Sequence, residues 1–140
     1  MNIKDTVLKI ASEYKTRDPF EIADCCGIYI IREDLGAVNG YFTSAYGVKS
    51  IHLNENLSPE RQKICCAHEL GHALMHDDLN TYFLINSTMM LPDKYERQAN
   101  LFASHLLFPD EVLAEYEGYD TGQIAAALGA PKFLIDLRLE

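Results

Sequence analysis

The five residues His68–His72 constrain this chain more than any other part of it. They read His-Glu-Leu-Gly-His, so two imidazoles lie four positions apart and a carboxylate follows the first. On an α-helix such residues share one face, about 6 Å apart along the axis, so both rings can reach one metal ion at roughly 2.0–2.1 Å. Glu69 projects beside the pair, where a water attacking a peptide bond would lose its proton. The pattern predicts a zinc-bearing helix with Glu69 as a catalytic base.

The residues around this motif indicate that its helix is packed. Ser58, Pro59 and Glu60 have the order of a cap, a first-turn proline and an acid favoured by the helix dipole, so the helix should run from there to about His76. The alternative is a helix with two surface histidines. The flanking residues favour packing, because most are apolar: Ile64, Cys65, Cys66, Ala67 and Leu74.

A catalytic zinc site needs a third protein ligand. His76 lies eight residues after His68, about 12 Å further along the helix axis, so it cannot join both other histidines on one ion. It is instead a residue of the helix end or of the site rim. Glu96 is the better candidate, because Asn100 follows it by one helical turn and could accept the free ring N–H of a ligating histidine. The alternative for Glu96 is an acid that caps its own helix.

Hydrolysis also needs a donor for the negative charge that develops on the carbonyl oxygen. The candidates for this contact, or for a contact with substrate, are Tyr82, Tyr95, His76 and His105. The sequence does not choose among them. The strand around Ile51–Leu53 is a further candidate, because an extended peptide could pair with its edge.

The remaining pattern predicts helices at both ends of the chain and strands between them. The segment 77–93 is mixed, and its residues 82–85 could form a strand. The predicted helices cover Ile3–Tyr14, Asp18 to about Gly27, Asp93 to before Pro109, a short one from Pro109 or Asp110, and two in Gln123–Leu139 broken at Gly129. The predicted strands are Ile28–Ile31, Gly40–Thr43 and Lys49–Leu53, with a turn at Ala45–Gly47.

Charge and composition exclude several classes of function. Twelve Lys and Arg against 21 Asp and Glu give a net charge of −9, and no basic cluster stands out, so direct nucleic-acid or anionic-membrane binding is not expected. No run of about 18 apolar residues could span a membrane. Residues 1–5 do not resemble a secretion signal, so we expect a cytoplasmic protein. The pairs Cys25-Cys26 and Cys65-Cys66 are interpreted as buried thiols, with a cross-pairing or a redox site as alternatives.

Several longer runs carry a resemblance to a known family. They are Asp18–Ala23, Asn39–Phe42, Ser58–Gln62, Ala67–His76 and Glu96–Ala103, the last continuing to Leu106–Pro109. Together they resemble the ImmA/IrrE family of metallopeptidases over nearly the whole length of the chain. The resemblance implies one zinc ion held by His68, His72 and Glu96, with Glu69 catalytic. It also implies an α+β, zincin-like fold over a single domain, residues 1–140, mostly helical with about three strands.

The resemblance further implies a substrate. Similar proteins of phages and mobile elements cleave a helix-turn-helix repressor, and we expect this chain to correspond to the peptidase region of the larger members. The resemblance therefore implies a protein substrate, a repressor of this kind. The alternative is a non-catalytic zinc-bearing regulatory or interaction protein, which would keep the ligands but would not need Glu69. The segment 123–131 faintly resembles a helix-turn-helix, but the acidic charge favours a packing role.

Overall fold

The computed structural model describes residues 2–76 and 93–140, and within them the chain forms seven helices and three strands. The predicted strand at 82–85 and Tyr82 itself lie outside the described residues. In chain order the elements are α1 (Ile3–Tyr14), α2 (Pro19–Cys25), β1 (Ile28–Glu33), β2 (Gly40–Ala45), β3 (Val48–Asn54), α3 (Pro59–Met75), α4 (Asp93–Leu107), α5 (Asp110–Ala114), α6 (Thr121–Leu128) and α7 (Lys132–Arg138). The predicted class, α+β and mostly helical with a three-stranded sheet, is confirmed.

Local side-chain chemistry explains where the helices begin and end. Asp18 accepts a hydrogen bond from the Phe20 N–H at 2.9 Å, and Ser58 accepts one from the Arg61 N–H at 3.2 Å. Each of these caps precedes a proline in the first turn, which lacks the N–H that a helix start leaves unpaired. Gly129 separates α6 from α7 in a left-handed conformation, with φ of 68°, as the sequence predicts.

The sheet is small and mixed, with β3 in its centre. β1 pairs with β3 in parallel, and β2 pairs with it in antiparallel register through a two-residue turn at Tyr46 and Gly47, which have φ of 55° and 78°. Both positive φ values are those of a hairpin turn that matches the twist of the strands. The predicted role of Ile51–Leu53 as a peptide-binding edge is wrong, because β1 and β2 occupy both edges of β3. Within the described chain, the outer strands are β1 and β2.

Two hydrophobic clusters hold these elements together. The larger joins the inner face of the sheet to α1, α3 and α4, and its centre includes Phe42, Ile51, Leu70 and Phe102, all fully buried. The smaller lies under α6 and α7. Its buried members are Phe108, Ile124, Ala125, Ala130, Leu134 and Ile135. The tail that faintly resembles a helix-turn-helix therefore contributes to packing.

The four cysteines, all within the described residues, are free thiols. Cys65 and Cys66 are buried, whereas Cys26 is half-buried and Cys25 is exposed, so the interpretation as buried thiols holds for the second pair only. Among the helices formed by residues 2–76 and 93–140, none has both the length and the apolar character that a membrane crossing requires.

Candidate metal centre

The candidate site lies where α3 and α4 pack against each other. Gly71 allows this close approach, because a methyl group at its α-carbon would meet the Phe102 side chain on α4 at 3.1 Å. Ala99 and Ala103 on α4 are small and fully buried. A glycine and two alanines at the contact bring the two helix backbones near each other, and side chains from both can then reach one point.

At this point two imidazoles and one carboxylate converge. His68 Nε2 lies 3.1 Å from one Glu96 oxygen, and His72 Nε2 lies 2.9 Å from the other. One ligand atom from each of the three residues can be chosen so that all lie within 4.8 Å of one another. Among the described residues, these three neighbouring side chains form a group that could hold a metal ion.

The outer ring nitrogens are hydrogen-bonded away from the site. His68 Nδ1 lies 2.8 Å from Asn100 Oδ1, and His72 Nδ1 lies 2.9 Å from His76 Nδ1. His76 Nε2 in turn lies 2.8 Å from Gln98 Oε1. An amide oxygen only accepts, so His68 donates from Nδ1 and presents the Nε2 lone pair to Glu96. This is the tautomer that a ligating histidine needs.

Three buried atoms at the site have no hydrogen-bond partner among the described residues: Glu69 Oε2, His72 Nε2 and Glu96 Oε1. Leaving such polar atoms buried and unpaired costs roughly 1–3 kcal/mol each. Two of them, His72 Nε2 and Glu96 Oε1, are electron-pair donors of the cluster that could share one ion. A metal ion fits this set, because it accepts lone pairs that hydrogen bonds within the described chain leave free.

The electrostatics of the cluster favour a deprotonated carboxylate. Burial alone would raise the pKa of Glu96, but the adjacent His68 and His72 outweigh it and lower that pKa to about 2. Burial lowers the pKa of His72, and His68 and His76 add to this effect against the opposing influence of Glu96. The pKa of His68 is also lowered by burial, but Glu96 and Glu69 outweigh this and raise it overall.

Glu69 stands beside the cluster without joining it. Its side chain is 5% exposed, and burial raises its pKa to about 7, with the charge of Glu96 also raising it and that of His68 opposing. It lines a cavity of about 450 Å³ that also borders His68, Glu96 and Asn100. A carboxyl group that titrates near neutral pH and faces an open cavity can accept a proton from a molecule bound there.

The other predicted site residues lie in different surroundings. His76 is 2% exposed, and both of its ring nitrogens are engaged within the chain. Tyr95 packs against it, with ring centroids 4.8 Å apart at 66°. His105 lines a second cavity of about 270 Å³, which does not include the residues of the cluster. Tyr82 lies outside the described residues.

Sequence reasoning missed the contact between His76 and Gln98. The signal was present, because His76 follows His72 by one helical turn and Gln98 lies between Glu96 and Asn100. The sequence predicts His76 only as a helix-end or rim residue, or as an oxyanion or substrate contact.

Paired histidines on one helix, a glutamate from a second helix and a small mixed sheet beside them define a zincin-like metallopeptidase. The chain matches the M78 peptidase family, described as the IrrE N-terminal-like domain, over residues 23–140. The chain therefore belongs to this family.

Individual relatives agree with this assignment. The chain is 40% identical over 143 residues to "Metallopeptidase ImmA" of Bacillus subtilis (strain 168), an alignment that covers 98% of this chain and 83% of the relative. It is 36% identical over 139 residues to "Uncharacterized immunity region protein 2" of Bacillus phage phi105, covering 97% and 88%. A solved structure titled "Mycobacterium tuberculosis transcriptional regulator" superposes with a TM-score of 0.66 at 16% identity, covering 98% of this chain and 46% of that chain, and shows a shared fold.

Proposed function

We propose that this chain is a zinc-dependent endopeptidase whose substrate is a helix-turn-helix repressor of a phage or mobile element. The observation that carries the proposal is the convergence of His68 Nε2, His72 Nε2 and the Glu96 carboxylate beside a buried Glu69 oxygen that has no hydrogen-bond partner among the described residues. We extend it to the whole chain, residues 1–140, as one peptidase domain that acts in the cytoplasm.

The donor set supports zinc, one ion per chain. Two imidazole nitrogens and one carboxylate are a common catalytic zinc set, whereas Mg²⁺ and Ca²⁺ prefer oxygen ligands throughout. When bound, a zinc ion supplies Lewis-acid chemistry, because it polarises a carbonyl group and lowers the pKa of water. His68, His72 and Glu96 would hold it, and Asn100 would keep His68 in the required tautomer.

In this proposal Glu69 moves the proton. Its carboxylate would accept a proton from the attacking water and later deliver it to the leaving amine. Burial supports this role, because a raised pKa brings the group close to neutral pH, where it can both accept and release a proton.

The shape of the cavity supports a protein substrate. Its walls come from the turn before β2, from α3 and from the start of α7, and they include Asn39, Gly40, Ile64 and Phe133. Gly40 is the first residue of β2, whose outer edge no other described strand occupies, so an extended peptide could pair there and pass over the cluster. The mostly apolar walls could take an adjoining side chain.

The names of the relatives support a role in the control of a phage or mobile element. One relative is called a metallopeptidase, and the other is named for the immunity region of a phage. A peptidase that acts on the repressor of such a region would control whether the element stays silent.

The non-catalytic alternative is not favoured. A zinc ion that only held the fold would need His68, His72 and Glu96, but it would not need a buried carboxyl group beside them. Burying a carboxyl oxygen that no described residue hydrogen-bonds costs stability, so the presence of Glu69 beside the cavity is better explained by a chemical task.

Zinc uptake tests the metal part of the proposal. Protein treated with a chelator and then supplied with zinc should retain one equivalent by elemental analysis, and His68→Ala and Glu96→Ala should each lose most of it. His105→Ala is the matched control, because it removes a histidine from the second cavity and should retain one equivalent. Wild-type protein that takes up no zinc, or ligand variants that bind as much as wild type, would contradict the proposal.

A further inference from the structure

His76 ends helix α3 on the same face as His72. Its backbone N–H donates to the His72 carbonyl oxygen at 2.9 Å, which closes the last turn. The two rings have centroids 5.1 Å apart and are 1% and 2% exposed. His76 therefore stands behind His72, on the side away from Glu96.

The two hydrogen bonds of His76 have one consistent direction. Gln98 Oε1 accepts, so His76 donates from Nε2 at 2.8 Å, and in a neutral ring Nδ1 is then left as an acceptor. His72 must supply the hydrogen of the 2.9 Å contact, so it donates from Nδ1. The Nε2 lone pair of His72 is left facing Glu96 Oε1.

We propose that His76 and Gln98 are positioning residues for the metal ion. They form a chain of two hydrogen bonds that fixes the tautomer and the ring orientation of His72. The inference rests on the metal site of the proposed function. Three residues of α4 would then have separate roles. Glu96 would bind the metal, Asn100 would orient His68 directly, and Gln98 would orient His72 through His76.

The contacts of His76 with the described residues all fit a positioning role. One of its ring nitrogens meets His72 and the other meets Gln98, and the ring is not among those that line the cavity. Tyr95 covers the ring edge-on. A buried histidine used only for packing could be replaced by a ring of similar size without effect on the metal.

The test uses substitutions that separate hydrogen bonding from volume. His76→Phe keeps an aromatic ring but cannot exchange hydrogen bonds with His72 or Gln98. Gln98→Leu removes the terminal acceptor, and Gln98→Glu keeps an oxygen there. His105→Phe is the matched control, since it makes the same substitution in the second cavity, which none of the cluster residues lines.

The first measurement is the zinc dissociation constant, obtained by competition with a chromogenic chelator. Loss of a hydrogen-bond partner behind a ligating histidine weakens metal binding by about 10–100-fold, so we expect this for His76→Phe and a smaller loss for Gln98→Leu. Gln98→Glu and His105→Phe should stay within about 3-fold of wild type, on the same basis. Thermal unfolding of each variant shows whether it is folded.

The second measurement needs no metal. Nitrogen-15 NMR of the metal-free protein should show His72 with its hydrogen on Nδ1, and part of that population should move to Nε2 in Gln98→Leu. Wild-type His72 with its hydrogen on Nε2 would overturn the proposal. Protein that binds no zinc contradicts the proposed function as well as the positioning role, whereas zinc binding unchanged in folded His76→Phe contradicts the positioning role alone.

Discussion

At the scale of single residues, Glu69 combines two properties that oppose each other. Burial disfavours its charged form and raises its pKa to about 7, yet Glu69 would have to be charged to accept a proton in the proposed mechanism. The same burial that tunes the group therefore costs folding stability at neutral pH. Such a cost is common where activity requires a destabilised group.

This cost can be measured in the metal-free protein. The folded-state pKa of Glu69 is about 7 against an ordinary value of 4.5, so the folded protein holds its proton more tightly than the unfolded chain does. The free energy of unfolding should then fall as the pH rises from 4.5 to 7, by an amount on the order of 3 kcal/mol. Glu69→Gln does not titrate, so its stability relative to wild type should rise over this range. Urea unfolding at both pH values checks this, and a constant difference would contradict it.

At the scale of secondary-structure elements, the site depends on how closely α3 and α4 approach. In the proposed site the motif on α3 would supply two ligands, and the start of α4 would supply the third. Gly71 lets the two helices approach closely, because a methyl group at its α-carbon would lie 3.1 Å from the Phe102 side chain, tighter than an ordinary van der Waals contact. Packing and metal binding should therefore respond together to a change at this position.

Gly71→Ala tests this coupling. Alanine should gain roughly 1 kcal/mol of helix propensity, but the clash with a fully buried ring should cost about 1–3 kcal/mol. We expect a net loss of about 1 kcal/mol and weaker zinc binding, measured by urea unfolding and chelator competition. In the control Gly122→Ala, the added methyl group meets only the ends of the Asp120 and Lys132 side chains, so zinc binding should not change. Higher stability with unchanged zinc affinity in Gly71→Ala would contradict the account.

The sequence predicts these elements well where the signal is local. Caps, prolines and apolar spacing give the helix starts at Asp18 and Ser58, and the turn at Tyr46 and Gly47. Strand order is a property of distant parts of the chain, so the central position of Ile51 in the sheet could not be read from its neighbours. The contact between His76 and Gln98 was missed for the same reason, because it depends on how two helices are aligned.

At the scale of the whole molecule, two hydrophobic clusters meet along α4. Leu107, at the end of this helix, packs against both of them, while Glu96 near its start belongs to the candidate metal site. The smaller cluster lies under α6 and α7, and its buried members are not among the residues that line the cavity beside His68 and Glu96. It should support the position of α4 without contributing to the chemistry.

Leu134→Ala should separate stability from metal binding. The side chain is 1% exposed at the centre of the smaller cluster, and its truncation should lower the free energy of unfolding by about 2–5 kcal/mol. Zinc stoichiometry should remain one per folded chain. The neighbouring Phe133→Ala is the control for stability, since that ring is 57% exposed and its loss should cost less than about 1 kcal/mol. Loss of zinc from folded Leu134→Ala would show that metal binding depends on the smaller cluster.

Cleavage of a repressor tests the central claim most directly. Wild-type protein and Glu69→Gln, both loaded with zinc to the same content, are mixed with a helix-turn-helix repressor encoded by a neighbouring reading frame, and fragments are identified by mass spectrometry. The account predicts that wild type cuts at one or very few bonds and that Glu69→Gln is slower by about 10²–10⁴-fold. Equal cleavage by the two proteins, or no cleavage by zinc-loaded wild type, would contradict it.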